Sequence, residues 1–338
     1  MVRSRWRRGV VATTGAVLAL TSVGVGFSAT AQAATKHKAP KHIRVAYLSY
    51  AVANSYDAPM LAAAKAVAAA EGVSVTVFDA NNSYTTQVAQ LQDVINSGQY
   101  QGIITQPIYG AALVPEVKKA IAKHIKVVNI DQILGSNYAS DGIEVKGLSA
   151  NVVFLPAKIG RQLAQLTLKA CGTASPCKVG LVHNFEGYEP DSEITKTFTA
   201  GLGSQATIVD QVDGQYNQAT ALTQVQDMLV ANPDVNVIVG SDQDCEGAQA
   251  ALAAAKNTTT KLVCYGASAA GLAGVKSGAW FADVAQAPAS EGQLGMIALI
   301  KAIRTGRNSG VINPVAKLPD NGILTKATVG KFTAQWPG

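Results

Sequence analysis

The sequence predicts an α/β protein of two doubly wound parallel-sheet lobes joined by a hinge that the chain crosses three times. Three observations carry this. Short apolar runs rich in β-branched residues recur from residue 43 onward. Amphipathic helical patterns separate them, and the rhythm breaks once, near residues 132–150, before restarting.

The strand candidates are Ile43–Leu48, Val73–Phe78, Gly102–Thr105, Val127–Ile130, Val179–Val182, Ile208–Val212, Val235–Val239, Leu262–Tyr265 and Phe281–Val284. Each is short and continuously apolar, as strands buried on both faces of a parallel sheet must be. Between them, Met60, Leu61, Ala64, Val67 and Ala68 fall on one helical face, as do Val88, Leu91 and Ile95, and later Leu222, Val225 and Leu229. Spacings of three and four lay one apolar stripe against a sheet. Strict strand–helix alternation argues for doubly wound architecture. The number of strands exceeds one small sheet, so the chain is expected to form one lobe from 43–149 plus 287–316 and a second from 150–286 plus 317–338. The crossings then fall near Ser149–Asn151, Gln286–Ala287 and Pro314–Lys317.

The N-terminus reads as an export signal. Arg3, Arg5, Arg7 and Arg8 form a basic start without an acid, an apolar stretch follows from about Gly9 to Phe27, and Ala31-Gln32-Ala33 makes a small-x-small exit. Cleavage is expected after Ala33, and residues 34–42 are expected to form a solvated leader. An uncleaved membrane anchor is the competing reading; the glycines, hydroxyl residues and Ala-x-Ala exit favour cleavage. Arg7-Arg8 hints at twin-arginine export, although the residues after the pair fit that signal poorly. No cysteine near the exit offers a lipid-anchor site.

Removing the signal changes the charge. The full chain has 28 basic and 22 acidic residues, a net +6. Four arginines leave with the signal and no acid does, so the mature chain falls to +2. The calculated pI of 9.0 is then a property of signal and leader, not of a basic stripe that nucleic acid would need.

All four cysteines lie in the second half. An exported chain with an even count suggests disulfides. Cys171 and Cys177 flank a turn sequence, and a bridge there contributes roughly 2–2.5 kcal/mol by chain entropy. Cys245 and Cys264 are the other pair, bridged or left as two buried thiols.

Ligands of open α/β sheets sit beyond the carboxyl ends of the strands. The residues that follow the predicted strands are Asn54, Tyr56 and Asp57; Gln106 and Tyr109; Asp131 and Gln132; then Tyr188, Asp191 and Ser192; Tyr216; Ser241 and Asp242; and Gln286. Carboxylates and carboxamides can each serve two neighbouring hydroxyls, and an aromatic face covers the C–H side of a sugar ring. Taken singly, Asp57, Asp131 and Asp242 could equally cap the helices that follow them, and Tyr56, Tyr109 and Tyr216 could be half-buried packing. Convergence at one edge of two sheets favours a binding site.

These residues resemble the type I periplasmic solute-binding proteins of the ribose-binding group, over essentially the whole mature chain. The resemblance rests on Asn54-Ser-Tyr56 after the first strand, Val128-Asn-Ile-Asp131, Asn232-Pro-Asp-Val-Asn-Val-Ile-Val-Gly-Ser-Asp242 and Ala285-Gln286. It implies ligand contacts at Asn54, Asp57, Asp131 and Gln286, stacking by Tyr56 and Tyr216, and polar contacts at Gln106 and Ser241. It also implies closure on a small sugar or polyol by a monomer, without cofactor, and delivery to an ABC permease, or alternatively presentation to a signalling receptor. Three positions depart from the group's pattern. Gln132 and Ser192 stand where the sugar binders carry arginine, and Ala267 where they carry aspartate. Losing two bidentate guanidinium donors changes what can be held.

Enzyme motifs do not hold up. Asp242-Gln-Asp244-Cys-Glu246-Gly247 imitates the start of a calcium loop, but its twelfth position is Ala253. Ser175-Pro-Cys-Lys178 fits Ser-x-x-Lys yet enters a strand rather than opening a helix. No histidine stands in a nucleophile constellation, so neither catalysis nor a metal is expected. Bacterial repressors share the core by analogy, but they begin with a DNA-binding domain where this chain has an export signal.

Overall fold

The computed structural model describes residues 42–338. The expected signal, its cleavage after Ala33 and nearly all of the leader lie outside the described residues.

Two six-stranded sheets form the framework. The first holds β1 (Ile43–Ser49), β2 (Val73–Asp79), β3 (Gly102–Thr105), β4 (Lys126–Asp131), β5 (Ala150–Val153) and β11 (Gly310–Ile312), in the order β2-β1-β3-β4-β5-β11 and parallel throughout. The second holds β6 (Cys177–His183), β7 (Ala206–Asp213), β8 (Val237–Ser241), β9 (Lys261–Gly266), β10 (Ala282–Ala285) and β12 (Ile323–Thr325), in the order β7-β6-β8-β9-β10-β12, with only β12 antiparallel. Each sheet reverses direction of winding once, between β1 and β3 and between β6 and β8. Those switch points are where an open α/β sheet leaves a crevice.

The helices follow from local signals. In the first lobe they are α1 (Asp57–Ala70), α2 (Tyr84–Ser97), α3 (Gly110–Ala122) and α9 (Pro288–Thr305). In the second they are α4 (Pro156–Cys171), α5 (Glu189–Leu202), α6 (Gln218–Ala231), α7 (Asp242–Ala254) and α8 (Ala269–Ser277). Ser83 caps α2 by accepting from Thr86 N, and Gly98 ends it in the left-handed region. Proline opens both α4 and α9, where a missing N–H costs nothing. Met60, Leu61, Ala64 and Ala68 form the buried stripe of α1. Gly292 lets α9 lie against α1: a Cβ there would meet Met60 O at 1.9 Å. That contact brings the chain back to the first lobe after it has built most of the second.

One boundary differs from expectation. Ala150–Val153 pair with β4 as an edge-ward strand of the first sheet, so the first crossing comes after Val153, not at Ser149–Asn151. The run begins at the end of the irregular stretch 132–150 and is interrupted by the polar Asn151, which hides it in the sequence, but Ala150 and Val152 fill the first lobe's core. The second crossing lies between β10 and α9 and the third between β11 and β12.

Both cysteine pairs are joined, Cys171–Cys177 at 2.10 Å and Cys245–Cys264 at 2.03 Å between sulfurs. The second ties the first turn of α7 to β9 inside the core, so the free-thiol alternative for that pair does not apply. Among the described residues no helix is long and apolar enough to cross a membrane.

Candidate functional site

A cleft of about 550 Å³ opens between the carboxyl ends of the two sheets. The first lobe's side is built on one buried carboxamide. Gln106 follows β3 and is fully buried. Its Nε2 donates to Asp57 Oδ1 at 2.6 Å and to Asp131 Oδ2 at 3.1 Å, while its Oε1 accepts from Tyr50 N at 3.2 Å. Gln87 Nε2 holds the Gln106 carbonyl in turn, at 2.8 Å. Gln106 is therefore a clasp beneath the cleft that draws two carboxylates together, rather than a residue on its wall.

Asp57 opens α1 after a turn organised by Asn54, whose Oδ1 accepts from Tyr56 N at 2.7 Å and Asp57 N at 3.3 Å. An Asn side chain can mimic a backbone turn in this way. Asp131 ends β4 with a φ of +66°, a conformation that Asp tolerates better than most residues. It is 2% exposed, and its Oδ1 accepts no hydrogen bond. Burial, and then the charge of Asp131, pushes the Asp57 pKa up to about 8. Burial lifts Asp131 to about 7, with Gln106 and Gln132 pulling it back.

A third acid stands behind them. Glu291, in the first turn of α9, is fully buried, and neither carboxylate oxygen has a partner. Burial raises its pKa well above the usual range, and Asp131 and Asp57 add to the rise. No sequence motif marks it; only the packing of α9 onto α1 brings it under Asp131.

The second lobe's side is organised by Asn184 at the end of β6. Its Oδ1 accepts from Tyr216 N at 3.0 Å and its Nδ2 donates to Tyr265 Oη at 2.7 Å. Tyr216 Oη donates to Asp191 Oδ1 at 2.6 Å, and Asp191 Oδ2 accepts from Phe185 N at 3.1 Å. Burial still lifts Asp191 to about 6, against the pull of Tyr216 and Phe185. Gln215 and Tyr216 both adopt positive φ, 60° and 49°. Strained backbone of this kind persists only where the surroundings over-determine it, and here Asn184 pins the Tyr216 N–H. Ser241 spends its hydroxyl in a capping box with Asp244, donating to Oδ2 at 2.6 Å. The calcium-like run Asp242–Glu246 is accordingly the first turn of α7, and among the described residues no cluster of His, Cys, Asp and Glu is arranged to hold a metal ion.

Of the residues expected at the site, Asn54, Tyr56, Asp57, Asp131, Gln132, Tyr188, Tyr216, Ser241 and Gln286 line the cleft. Six do not. Gln106 and Asp191 lie one layer behind, holding residues that do. Tyr109 is 39% exposed and meets Tyr84 edge-on, 6.1 Å away between ring centres. Ser192 faces solvent on α5 and donates to Tyr188 O at 3.0 Å. Asp242 is fully buried and accepts from Ser268 N at 2.7 Å. Ala267 is buried with a φ of +52°, and its N–H donates to Asp283. These last two brace the start of α8 below the cleft floor.

Sequence reasoning missed much of the aromatic wall. Tyr50, Phe154, Phe185, Tyr265 and Trp336 all line the cleft. Phe154 follows β5, a strand that was not legible. Trp336 arrives from the distant tail, donating Nε1–H to Gly266 O at 2.9 Å and meeting Tyr56 edge-to-face at 5.4 Å. Burial, with Asp57 and Asp131 nearby, raises the Tyr50 pKa, and a hydrogen bond with Tyr188 from the other lobe offsets part of the rise.

Comparison with known proteins agrees with this geometry. A D-allose-binding periplasmic protein of Escherichia coli (strain K12) is 26% identical over 255 residues, covering 74% of this chain and 79% of that one. A ribose import binding protein of Haemophilus influenzae is 27% identical over 241 residues, covering 69% and 76%. The solved structure of an ABC transporter solute binding protein from Bacillus halodurans with bound myo-inositol superposes with a TM-score of 0.75 at 17% identity, covering 88% of this chain and 99% of that one. The family model described as "Periplasmic binding protein domain" matches residues 45–308. Two parallel sheets, three crossings and that match lead to one conclusion: the chain belongs to the periplasmic binding protein family and has its type I fold.

Proposed function

We propose that this chain is the solute-binding subunit of an ABC importer, which captures a small polyhydroxylated solute between its lobes and presents the closed form to a membrane permease. The observation that carries this is the pair Asp57 and Asp131, held side by side by Gln106 at the switch point of one sheet and facing an aromatic wall on the other. Paired carboxylates grip neighbouring hydroxyls, and the rings cover the apolar face of a cyclic ligand. A ligand touching both lobes favours the closed state by its differential contacts. The cleft volume falls in the range of small-molecule sites, roughly 300–1,000 Å³.

Relatives described as binding D-allose and importing ribose support a monosaccharide or polyol, and they favour delivery to a permease over presentation to a receptor. In this reading the protein is exported on residues 1–33, cleaved after Ala33 without a lipid anchor, works as a monomer, and performs no catalysis. The site uses no cofactor.

Native mass spectrometry of residues 34–338, purified without added ligand and again after unfolding and refolding, tests the reading. A bound mass in the monosaccharide or polyol range that refolding removes is expected. A bare chain that then ignores every sugar and polyol offered would overturn it.

A further inference from the structure

The walls of the cleft carry acidic side chains and no basic one. Asp57 and Asp131 are the ionisable acids among the side chains that line it; no Lys, Arg or His of the described residues does so. Glu291 lies behind Asp131 and Asp191 behind Tyr216, both buried. The two positions where the resemblance led us to expect arginine hold Gln132, whose Oε1 is buried without a partner, and Ser192, which points to solvent.

Two carboxylates bridged by one NH₂ group lie close enough to repel strongly in a poorly solvated site. A buried charge without a partner is costly, and it is offset by a counter-charge or by protonation. The protein supplies no counter-charge: the neutral carboxamide of Gln106 is shared between both acids, and the other contacts are also neutral, from the Gln132 side chain to Asp131 and from the Ala51 N–H to Asp57. Asp131 Oδ1, 98% withdrawn from solvent on its residue, is an acceptor left open at the cleft wall. Tyr56 Oη and Gln132 Oε1 are also buried and unpartnered there. Around this corner stand the rings of Tyr50, Tyr56, Tyr188, Tyr216 and Trp336. Aromatic faces attract cations, more so when desolvated.

We propose that the solute is a cation: a small polyhydroxylated amine or quaternary ammonium compound whose positive group sits against Asp131 and Asp57 within the aromatic wall. This rests on the solute-capture reading above and narrows it. The ammonium replaces the arginines that this cleft lacks, from the ligand's side. The groups facing the pair are Glu291 from α9, Asp79 from the end of β2, Tyr47 from β1 and Tyr50 from the loop after it, Tyr56 before α1, and Tyr188 from the second lobe. All are acids or phenols, so none competes with the ligand for the positive role.

Matched pairs of compounds test this, each pair differing only in charge: D-glucosamine with D-glucose, N-methyl-D-glucamine with D-glucitol, and choline with its neutral carbon isostere. Thermal shift and calorimetry are run at pH 7.5 and constant ionic strength on ligand-stripped residues 34–338. At least one cation is expected to bind roughly tenfold or more tightly than its neutral partner, the effect of about one unit of charge in a screened site. Asp131→Asn, which keeps shape and the left-handed backbone, should erase that preference: the cation-to-neutral affinity ratio is expected to fall from roughly tenfold or more to about one, whatever the variant does to the affinity of the neutral compound. A neutral partner that binds as well as or better than its cation overturns the charge assignment and leaves solute capture standing. Failure of every pair at millimolar concentration overturns both. An Asp131→Asn protein that keeps the full preference places the positive group elsewhere and also overturns the assignment.

Discussion

Asp131 and Asp191 occupy comparable places, each beyond the strand ends of its own lobe and each almost fully buried, yet they are built for different work. Both Asp191 oxygens are used, one by the Tyr216 hydroxyl and the other by the Phe185 N–H. Asp131 has Oδ2 on Gln106, with the Gln132 carboxamide beside the group, and its Oδ1 takes no hydrogen bond. Asp191 spends both oxygens shaping the second lobe's wall, whereas Asp131 leaves one acceptor open to whatever enters. A buried acid is thus assigned by its unused acceptors, not by its position alone. The second lobe also carries both disulfides, while the first is stapled by none among the described residues. The lobe with the satisfied wall is cross-linked, and the lobe with the open acceptor is held by packing of α9 on α1.

Substituting these two residues is the strongest way to break the comparison. Asp131→Ala is expected to weaken binding of the co-purifying solute by ~2–4 kcal/mol, as when a buried polar partner loses a charged acceptor, with a folding cost of about 1 kcal/mol from placing alanine at positive φ. Asp191→Ala should instead lower folding stability by ~1–3 kcal/mol, because the Tyr216 hydroxyl and the Phe185 N–H lose their acceptor. Titration calorimetry and urea unfolding of both variants separate the two roles. Equal stability loss in both variants would erase the distinction.

The pH dependence of the ligand-free protein sharpens it. Asp57 and Asp131 are raised from 3.8 to about 8 and about 7 by burial. Between about pH 4 and 8 the folded state therefore holds more protons than the unfolded one, so stability falls as pH rises. The contribution is fully present below pH 4 and is lost through the folded pKa values. Urea unfolding at pH 5, 6.5 and 8 should show declining stability, and Asp131→Asn should flatten the decline, since Asp131 is also a cause of the Asp57 shift. Asp242 and Asp244 in the second lobe are raised as well, to about 6 and about 8, so a residual slope remains in that variant. An unaltered slope would mean that the first lobe's acids are not its source.

Most of the architecture was legible because parallel strands buried on both faces leave uninterrupted apolar runs, and every run read as a strand is one. The strands that were missed, β5, β11 and β12, have three or four residues each. β3 and β10 are no longer than β5 and were read, so length alone does not hide a strand: β5 carries the polar Asn151 within it, and β11 and β12 have only three residues each, half-buried or exposed but for Leu324. The site was legible where chemistry follows a strand directly, as at Asp131 and Asn54. It was illegible where tertiary packing delivers the residue: Phe154 after an unseen strand, Glu291 through helix packing, Trp336 from the tail. Gln106 was found for the wrong role, since a sequence shows a carboxamide at the sheet edge but not that both its ends are already engaged.

The smallest expected effects test whether position at the strand ends is enough. Tyr109 and Ser192 follow their strands as the cleft residues do, and each was a candidate for ligand contact. Tyr109 packs outward on Tyr84, at the start of α2. The Ser192 hydroxyl folds back onto its own helix, donating to the Tyr188 carbonyl. Neither side chain reaches the wall, and both are exposed, where substitutions usually change stability by less than about 0.5 kcal/mol. Tyr109→Ala and Ser192→Ala should therefore leave solute affinity within about twofold of the parent by calorimetry. Ser192→Arg adds the reverse test: an arginine there could extend toward the aromatic wall and bring the positive charge that this cleft otherwise lacks. A cationic solute would then bind more weakly in proportion to how far that side chain reaches inward, and unchanged binding would show that α5 holds position 192 outside the site.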